Sequence, residues 1–280
     1  MVVEPRHVFC HLGHLSCLAV VLSGACIVKE VCYTDSDCLD NRVCNLGTGQ
    51  CEYECSSDEQ CGFSFACVDH TCEFSCDDVP LDCPLGMASI CGAFCIDIYE
   101  ASRKDATESS AGSDSSSAMS QAGVLPWYTS DSSKMNREVA EAACQAADKR
   151  LCTPSEWEVV CSGLDGLNYC YSNTYDPVVC NGIDTFCECD PYPHCYDTCG
   201  AEFHVMPTGS FAGCTNAFGI FDINGNVWEV VDSSDGLDHY RGGAYNCANS
   251  EKLHACSYDA TWNPSAKGFR CCKSNDQAQE

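Results

Sequence analysis

The sequence predicts an α+β fold with unusually little regular structure, cross-linked by disulfides. Three observations point there. Cysteine supplies 29 of the 280 residues, a density that fits an oxidising compartment, because a cytosolic chain keeps its thiols reduced. Only two segments, one near 137–149 and one starting at Thr153, carry helix signals. The remainder consists of short strand-like runs between stretches rich in Gly, Asn, Pro, Tyr and Cys, which mark turns. The length allows one substantial core plus an accessory module. Structural zinc does not account for the cysteines, since no paired Cys-x-x-Cys array has finger or ribbon spacing.

With 14 basic and 41 acidic residues, the chain carries a net charge of −27 spread along its length. Such a surface repels nucleic acid and anionic lipid headgroups, so neither is expected as a partner. Most of these carboxylates read as a solvated acidic surface, which also suits divalent cations.

Residues 1–25 read as an export signal. Arg6 and several histidines precede the apolar run Leu18–Leu22, and Ser23-Gly24-Ala25 lead to Cys26. The run is too short to span a bilayer. Small residues ending at a cysteine resemble a bacterial lipoprotein signal, which implies lipidation of Cys26, although Leu22 lies one place further from it than that motif prefers. The expected location is extracytoplasmic, as a cell-envelope lipoprotein or a secreted protein, with any membrane contact made through the lipid anchor. Setting aside Cys10, Cys17 and Cys26 leaves 26 cysteines, an even number that fits full pairing.

Residues 26–82 contain a repeat. Cys32, Cys38, Cys44 and Cys51 recur as Cys55, Cys61, Cys67 and Cys72, and a third unit starts at Cys76. Units of about 21–23 residues with few large apolar side chains cannot bury a core, so cross-links must hold them. They resemble small epidermal-growth-factor-like modules and serve either as a protein-binding module or as a spacer; connectivity cannot be read from spacing.

From residue 83 to 272 the text changes to that of a larger domain, followed by a tail at 273–280. Phe94–Glu100 alternates like a half-buried strand. Residues 105–123, rich in Ser, Ala, Gly and Asp, read as a flexible loop. A helix is expected at 137–149, capped by Asn136. Thr153, Pro154 and Glu156 form a capping-box start for the next. After the loop-rich stretch 164–214, strands are expected at 218–222, 226–231, 239–245 and 267–272.

Four segments then occur in order: Lys149-Arg150-Leu151-Cys152-Thr153-Pro154-Ser155-Glu156-Trp157-Glu158, Gly225-Asn226-Val227-Trp228-Glu229, Arg241-Gly242-Gly243 and Gly268-Phe269-Arg270-Cys271. Together they resemble the domain of the formylglycine-generating enzymes, the sulfatase-modifying factors. The resemblance implies an irregular C-type-lectin-like architecture with low secondary-structure content. It also implies bridges Cys144–Cys271 and Cys161–Cys256. Extra cysteines at 152, 180, 214 and 272 suggest further staples, and Cys180 with Cys214 is one expected pair.

Asp222 and Glu229 place two carboxylates seven residues apart around a Gly-Asn turn, a spacing unlike an EF-hand. Two readings are open: a solvated turn, or a calcium loop. The resemblance implies calcium, held by Asp222 and Glu229 with the carbonyls of Gly225 and Val227. It implies a second calcium site from Asn181, the Gly182 carbonyl and Asp197.

Active relatives oxidise a substrate cysteine to formylglycine, using two cysteine thiolates that hold Cu(I), a soft ion suited to sulfur. Cys247 matches the first copper cysteine, but Lys252 stands at the second. Ala244 replaces the active-site serine, Asp259 replaces an arginine, and Ala266 replaces an asparagine. Cys247 is therefore expected as a disulfide partner, and copper is not expected. His194, His204, His239 and His254 lie outside any nucleophile motif and read as surface histidines. The leading reading is a non-catalytic, calcium-braced binding or structural module for a protein or glycan partner at the cell surface. The alternative is a formylglycine-generating oxidase using Cys247.

Overall fold

In the computed structural model the described residues run from 81 to 275, apart from 130, 132–133, 188–198, 202, 234 and 248. Before that they comprise 11–12, 15–16, 18–22, 25–29, 32, 38, 42–45, 50–53, 55–57, 65–74 and 76. The chain divides into two compact units, Met1–Ser75 and Cys76–Glu280.

In the first unit each repeat is a β-hairpin. Arg42–Asn45 pairs with Gln50–Tyr53, and Phe65–Val68 with Thr71–Phe74. The hairpins share a register that sets Cys44 opposite Cys51 and Cys67 opposite Cys72. Cys32 is bonded to Cys44, Cys38 to Cys51 and Cys55 to Cys67. The first hairpin is thus bridged first-to-third and second-to-fourth. Cys72 is also disulfide-bonded, while Cys61 lies outside the described residues. Tyr53 of one repeat stacks on His70 of the next, with ring centroids 4.0 Å apart. Upstream, Leu18–Leu22 pairs with Ala25–Lys29, which sets Cys26 opposite Val21. Residues 1–10 and the side chains of 11–30 lie outside the described residues.

The third cysteine unit belongs to the second body. Cys76 pairs with Cys91 and Cys83 with Cys95, the same first-to-third and second-to-fourth pattern. The second compact unit starts at Cys76, and the Cys83–Cys95 bridge fastens this cysteine unit to the Phe94–Asp97 strand. That strand is central in an antiparallel sheet of order Arg150–Leu151, Cys271–Ser274, Phe94–Asp97, Met87–Ile90. The expected tail at 273–280 accordingly starts inside a strand, with Ser274 opposite Phe94.

A three-stranded sheet has Trp228–Val231 in its centre, antiparallel to His239–Arg241 and parallel to Lys267–Phe269. No strand forms at 218–222; only an isolated bridge joins Thr215 and Phe221. The main core gathers Trp127, Met135, Leu151, Trp228, Tyr240 and Phe269. Secondary structure is sparse, and among the described residues no helix is long and apolar enough to cross a membrane.

Helix α1 spans Arg137–Gln145. The Asn136 side chain accepts the Val139 amide, as an N-cap does, and Ala140, Ala143 and Cys144 face the core. The helix ends four residues before the expected 149. Asp148 turns left-handed at φ 57°, and the Lys149 amide reaches back to the Cys144 carbonyl at 3.0 Å. This is a Schellman-type end with aspartate where glycine is usual. Helix α2 spans Pro154–Ser162 and has its full capping box between Thr153 and Glu156.

The 105–123 segment is more ordered than its composition suggests. The Asp105 carboxylate accepts the amides of Ser113 and Asp114. Ala118 is buried in the core, and Met119–Ser120 pairs with Ala101–Ser102.

Candidate functional site

The last strand is stapled on both faces. Cys271 is bonded to Cys144 of α1, and its neighbour Cys272 is bonded to Cys152. Adjacent residues on a strand point to opposite sides, so the two bridges grip it from both. Cys161 is bonded to Cys256 and Cys180 to Cys214.

Arg270 lies between the strands Lys267–Phe269 and Cys271–Ser274, where the chain passes from one sheet to the other. The guanidinium is fully enclosed. It grips Glu229 through both carboxylate oxygens, Nε to Oε2 at 2.7 Å and Nη2 to Oε1 at 2.5 Å. Its remaining N–H groups donate to the carbonyls of Asp97 and Phe221, each at 3.0 Å, and of Ile98 at 3.5 Å. The Trp157 indole N–H of α2 also donates to Glu229 Oε2, at 2.7 Å. Such a fork-to-fork pair in a dry interior leaves Glu229 with no idle oxygen.

Two more buried carboxyl groups belong to this cluster. Asp222 accepts the Gly209 amide, and burial pushes its carboxyl up to about 7. Glu100 accepts the Val227 amide at 3.2 Å and the Asn226 side-chain amide at 2.6 Å. Burial, and then the neighbouring Asp222 and Glu229, raise Glu100 well above the usual carboxylate range. Three buried carboxyl groups around one guanidinium repel one another, which favours the protonated form of Glu100 and Asp222. Glu100 had no signal of its own in the sequence, since it closes a strand like many surface acids.

Calcium does not fit the expected first donor set. Asp222 and Glu229 do come into one cluster, but Arg270 already supplies the cation and occupies Glu229. At the second set, the Asn181 Oδ1 is a buried oxygen with no partner among the described residues. Its amide nitrogen donates to His204 O and Asn226 Oδ1. The Gly182 carbonyl accepts the Thr185 amide, and Asp197 lies outside the described residues. Among the described residues this set offers one side-chain oxygen, against the six to eight oxygens that calcium takes.

The expectation that Cys247 joins a disulfide is corrected: its thiol is free and buried. Even cysteine parity said nothing about which sulfurs meet, and Cys170 is likewise free. The Cys247 sulfur accepts the Ala244 amide at 3.0 Å, and burial pushes the thiol up to about 12. At neutral pH it stays protonated. Ala244 and Ala266 are packed into the main core. Lys252 is exposed, with its ammonium 5.7 Å from the Tyr258 ring centroid. Asp259 holds the His239 Nδ1 at 2.6 Å, while Asp235 holds Nε2 at 2.9 Å. Partial burial pulls His239 down, but these two carboxylates outweigh it and keep the imidazole above its usual value. A two-thiolate copper site does not fit these residues.

His254 is also corrected, from surface to core. Its ring fills a cradle of glycines: a Cβ on Gly243 would meet it at 2.2 Å and one on Gly182 at 3.0 Å. Gly243 has φ +75° and Gly242 has φ +82°, so the Arg241-Gly242-Gly243 turn requires glycine twice. Burial pushes His254 down to about 4, and it remains neutral beside the Ala244 carbonyl. His204 is exposed as expected, and His194 lies outside the described residues.

A surface cleft of about 370 Å³ opens beside this region, lined by Asn136, Leu237, Asp238, Tyr240, Thr261, Trp262 and Asn263. Trp262 is half exposed and stands edge-on to Trp228, with centroids 5.6 Å apart. An exposed indole held in place by a buried one presents a rigid apolar contact among amides and hydroxyls.

Residues 133–275, about half of the chain, match the sulfatase-modifying factor enzyme 1-like domain. Among solved structures, CarF is similar at 18% identity over 65% of this chain and 87% of CarF, with a TM-score of 0.41. PvdO from Pseudomonas aeruginosa is similar at 17% identity over 70% of this chain and 86% of PvdO, with a TM-score of 0.39. Treponema denticola variable protein 1 shares 20% identity over 45% of this chain and 48% of its own, with a TM-score of 0.29. No curated protein matches the chain.

Proposed function

The chain belongs to the sulfatase-modifying factor family, and from that premise we propose that its domain is a non-catalytic binding or structural module. One observation carries this reading: where the oxidase needs a polar, thiolate-bearing pocket, Ala244, Ala266 and the neutral Cys247 thiol are parts of the buried interior. Fold alone does not confer activity, so the pocket decides.

The purified protein, loaded with copper, is expected to leave the cysteine of a Cys-x-Pro-x-Arg peptide unconverted, as read by mass spectrometry. Lys252→Cys alone is expected to change nothing, because the new thiol would arise on an exposed helix and three other positions would still differ. Turnover that depends on both copper and Cys247 would promote the oxidase instead.

The brace of this module is the Arg270–Glu229 pair with its disulfides. Calcium, the brace implied by resemblance, would have to displace a buried guanidinium from Glu229. The expected result is a melting temperature that is the same with calcium and with a chelator. A rise of several degrees on adding calcium would reinstate the ion, with Asn181 as its first ligand.

The cleft around Trp262 is the surface we assign to a protein or glycan partner. The cysteine repeats serve as a separate protein-binding module or as a spacer, and the density of disulfides supports an extracytoplasmic location. Lipidation of Cys26 would anchor the chain at a bacterial cell envelope; the mass of the mature N-terminal peptide tests it.

A further inference from the structure

Cys170 lies in the loop that follows α2. Its thiol is free and only 2% exposed. Its sulfur and those of Cys180 and Cys214 all lie within 4.8 Å of one another, while Cys180 and Cys214 are bonded to each other. A free thiol is therefore packed directly against a disulfide.

Asn224 organises the group. Its Oδ1 accepts the Cys170 amide at 2.8 Å, and its carbonyl lies 3.3 Å from the Cys214 sulfur. Its side-chain N–H groups go to the Cys161 sulfur at 3.2 Å and to the His254 carbonyl at 2.6 Å. One buried amide thus fixes the backbone of Cys170 beside the bridge.

We propose that Cys170, Cys180 and Cys214 form a three-sulfur exchange centre, in which one disulfide moves among three pairings. The Cys170 thiol loses its proton, and the thiolate electron pair attacks the sulfur of Cys180 or Cys214. The new sulfur–sulfur bond forms as the Cys180–Cys214 bond breaks, and the departing sulfur keeps the electron pair and takes up a proton. Nothing is oxidised or reduced overall, so the step needs no co-reactant. Loop length does not dictate the winner, because closure entropy varies only logarithmically with separation and distinguishes the three pairings by about tenfold at most.

The rate is governed by thiolate formation. Burial pushes the Cys170 thiol up to about 12, with Asp222 reinforcing the rise and Arg270 opposing it. The folded protein at neutral pH therefore holds one pairing, and alkaline pH or local opening of the loop releases the exchange. Below that value, each unit rise in pH should speed it about tenfold.

The test uses the full-length oxidised protein, incubated without reductant at pH 7 and pH 9.5. It is then quenched in acid, alkylated while unfolded, digested and mapped by mass spectrometry. At pH 9.5 the alkyl label is expected to move from Cys170 to Cys180 or Cys214, with matching Cys170 bridges, and to remain on Cys247. Label confined to Cys170 at both pH values would overturn the proposal, and so would general scrambling that also engages Cys247. In Cys180→Ser, Cys214 is expected to bond to Cys170. Finding both reduced while Cys161–Cys256 is intact would equally overturn it. Should that variant fail to fold, the wild-type labelling still decides.

Discussion

Replacing Arg270 with methionine is expected to remove a large share of the stability of the larger domain. The substitution would leave Glu229 buried and uncompensated, and would strip the carbonyls of Asp97 and Phe221 of their donors. Breaking one side of a buried pair typically costs about 3–5 kcal/mol, against about 5–15 kcal/mol for a whole domain. Thermal or urea unfolding under oxidising conditions measures it. Arg270→Lys should recover little, because an ammonium cannot reproduce the two-pronged grip. Adding Glu229→Gln to Arg270→Met should recover part of the loss by removing the stranded charge. A melting temperature unchanged by Arg270→Met would show that the pair does not brace the fold.

Loss of the Cys144–Cys271 bridge, by serine at both positions, is expected to have a comparable effect. The bridge joins residues 127 apart, and the chain-entropy account gives about 4–5 kcal/mol for a loop near that length. The Cys161–Cys256 bridge, with a separation of 95, should behave alike. By contrast, removing Cys187–Cys199, whose separation is only 12, should cost about 3 kcal/mol at most. Denaturant unfolding of the paired variants tests the ranking. Equal losses from the long and short bridges would mean that native-state packing, rather than loop closure, sets their contribution.

Local chemistry was legible in the sequence wherever the deciding partners are near neighbours. Thr153, Pro154 and Glu156 announce the start of α2 because the capping box closes within three residues. Asn136 marks α1 for the same reason, although the end of that helix depends on the left-handed Asp148, which carries no glycine signal. The four ordered motifs were enough for the family, and the changed residues Ala244, Lys252, Asp259 and Ala266 were visible at once.

Only the tertiary structure decided which distant groups share a partner. Glu229 could face solvent, calcium or a guanidinium, and Arg270, 41 residues further on, claims it. Even parity gave no means to see that Cys170 and Cys247 remain thiols, because pairing requires two sulfurs within bonding distance and counting is blind to distance. His254 looked like a surface residue until Gly182, Gly225 and Gly243 converged on its ring. The sequence by itself determined the composition of the cross-links, the local helix starts and the family. The fold decided how charge and sulfur are shared, because burial makes those interactions depend on neighbours brought together from far along the chain.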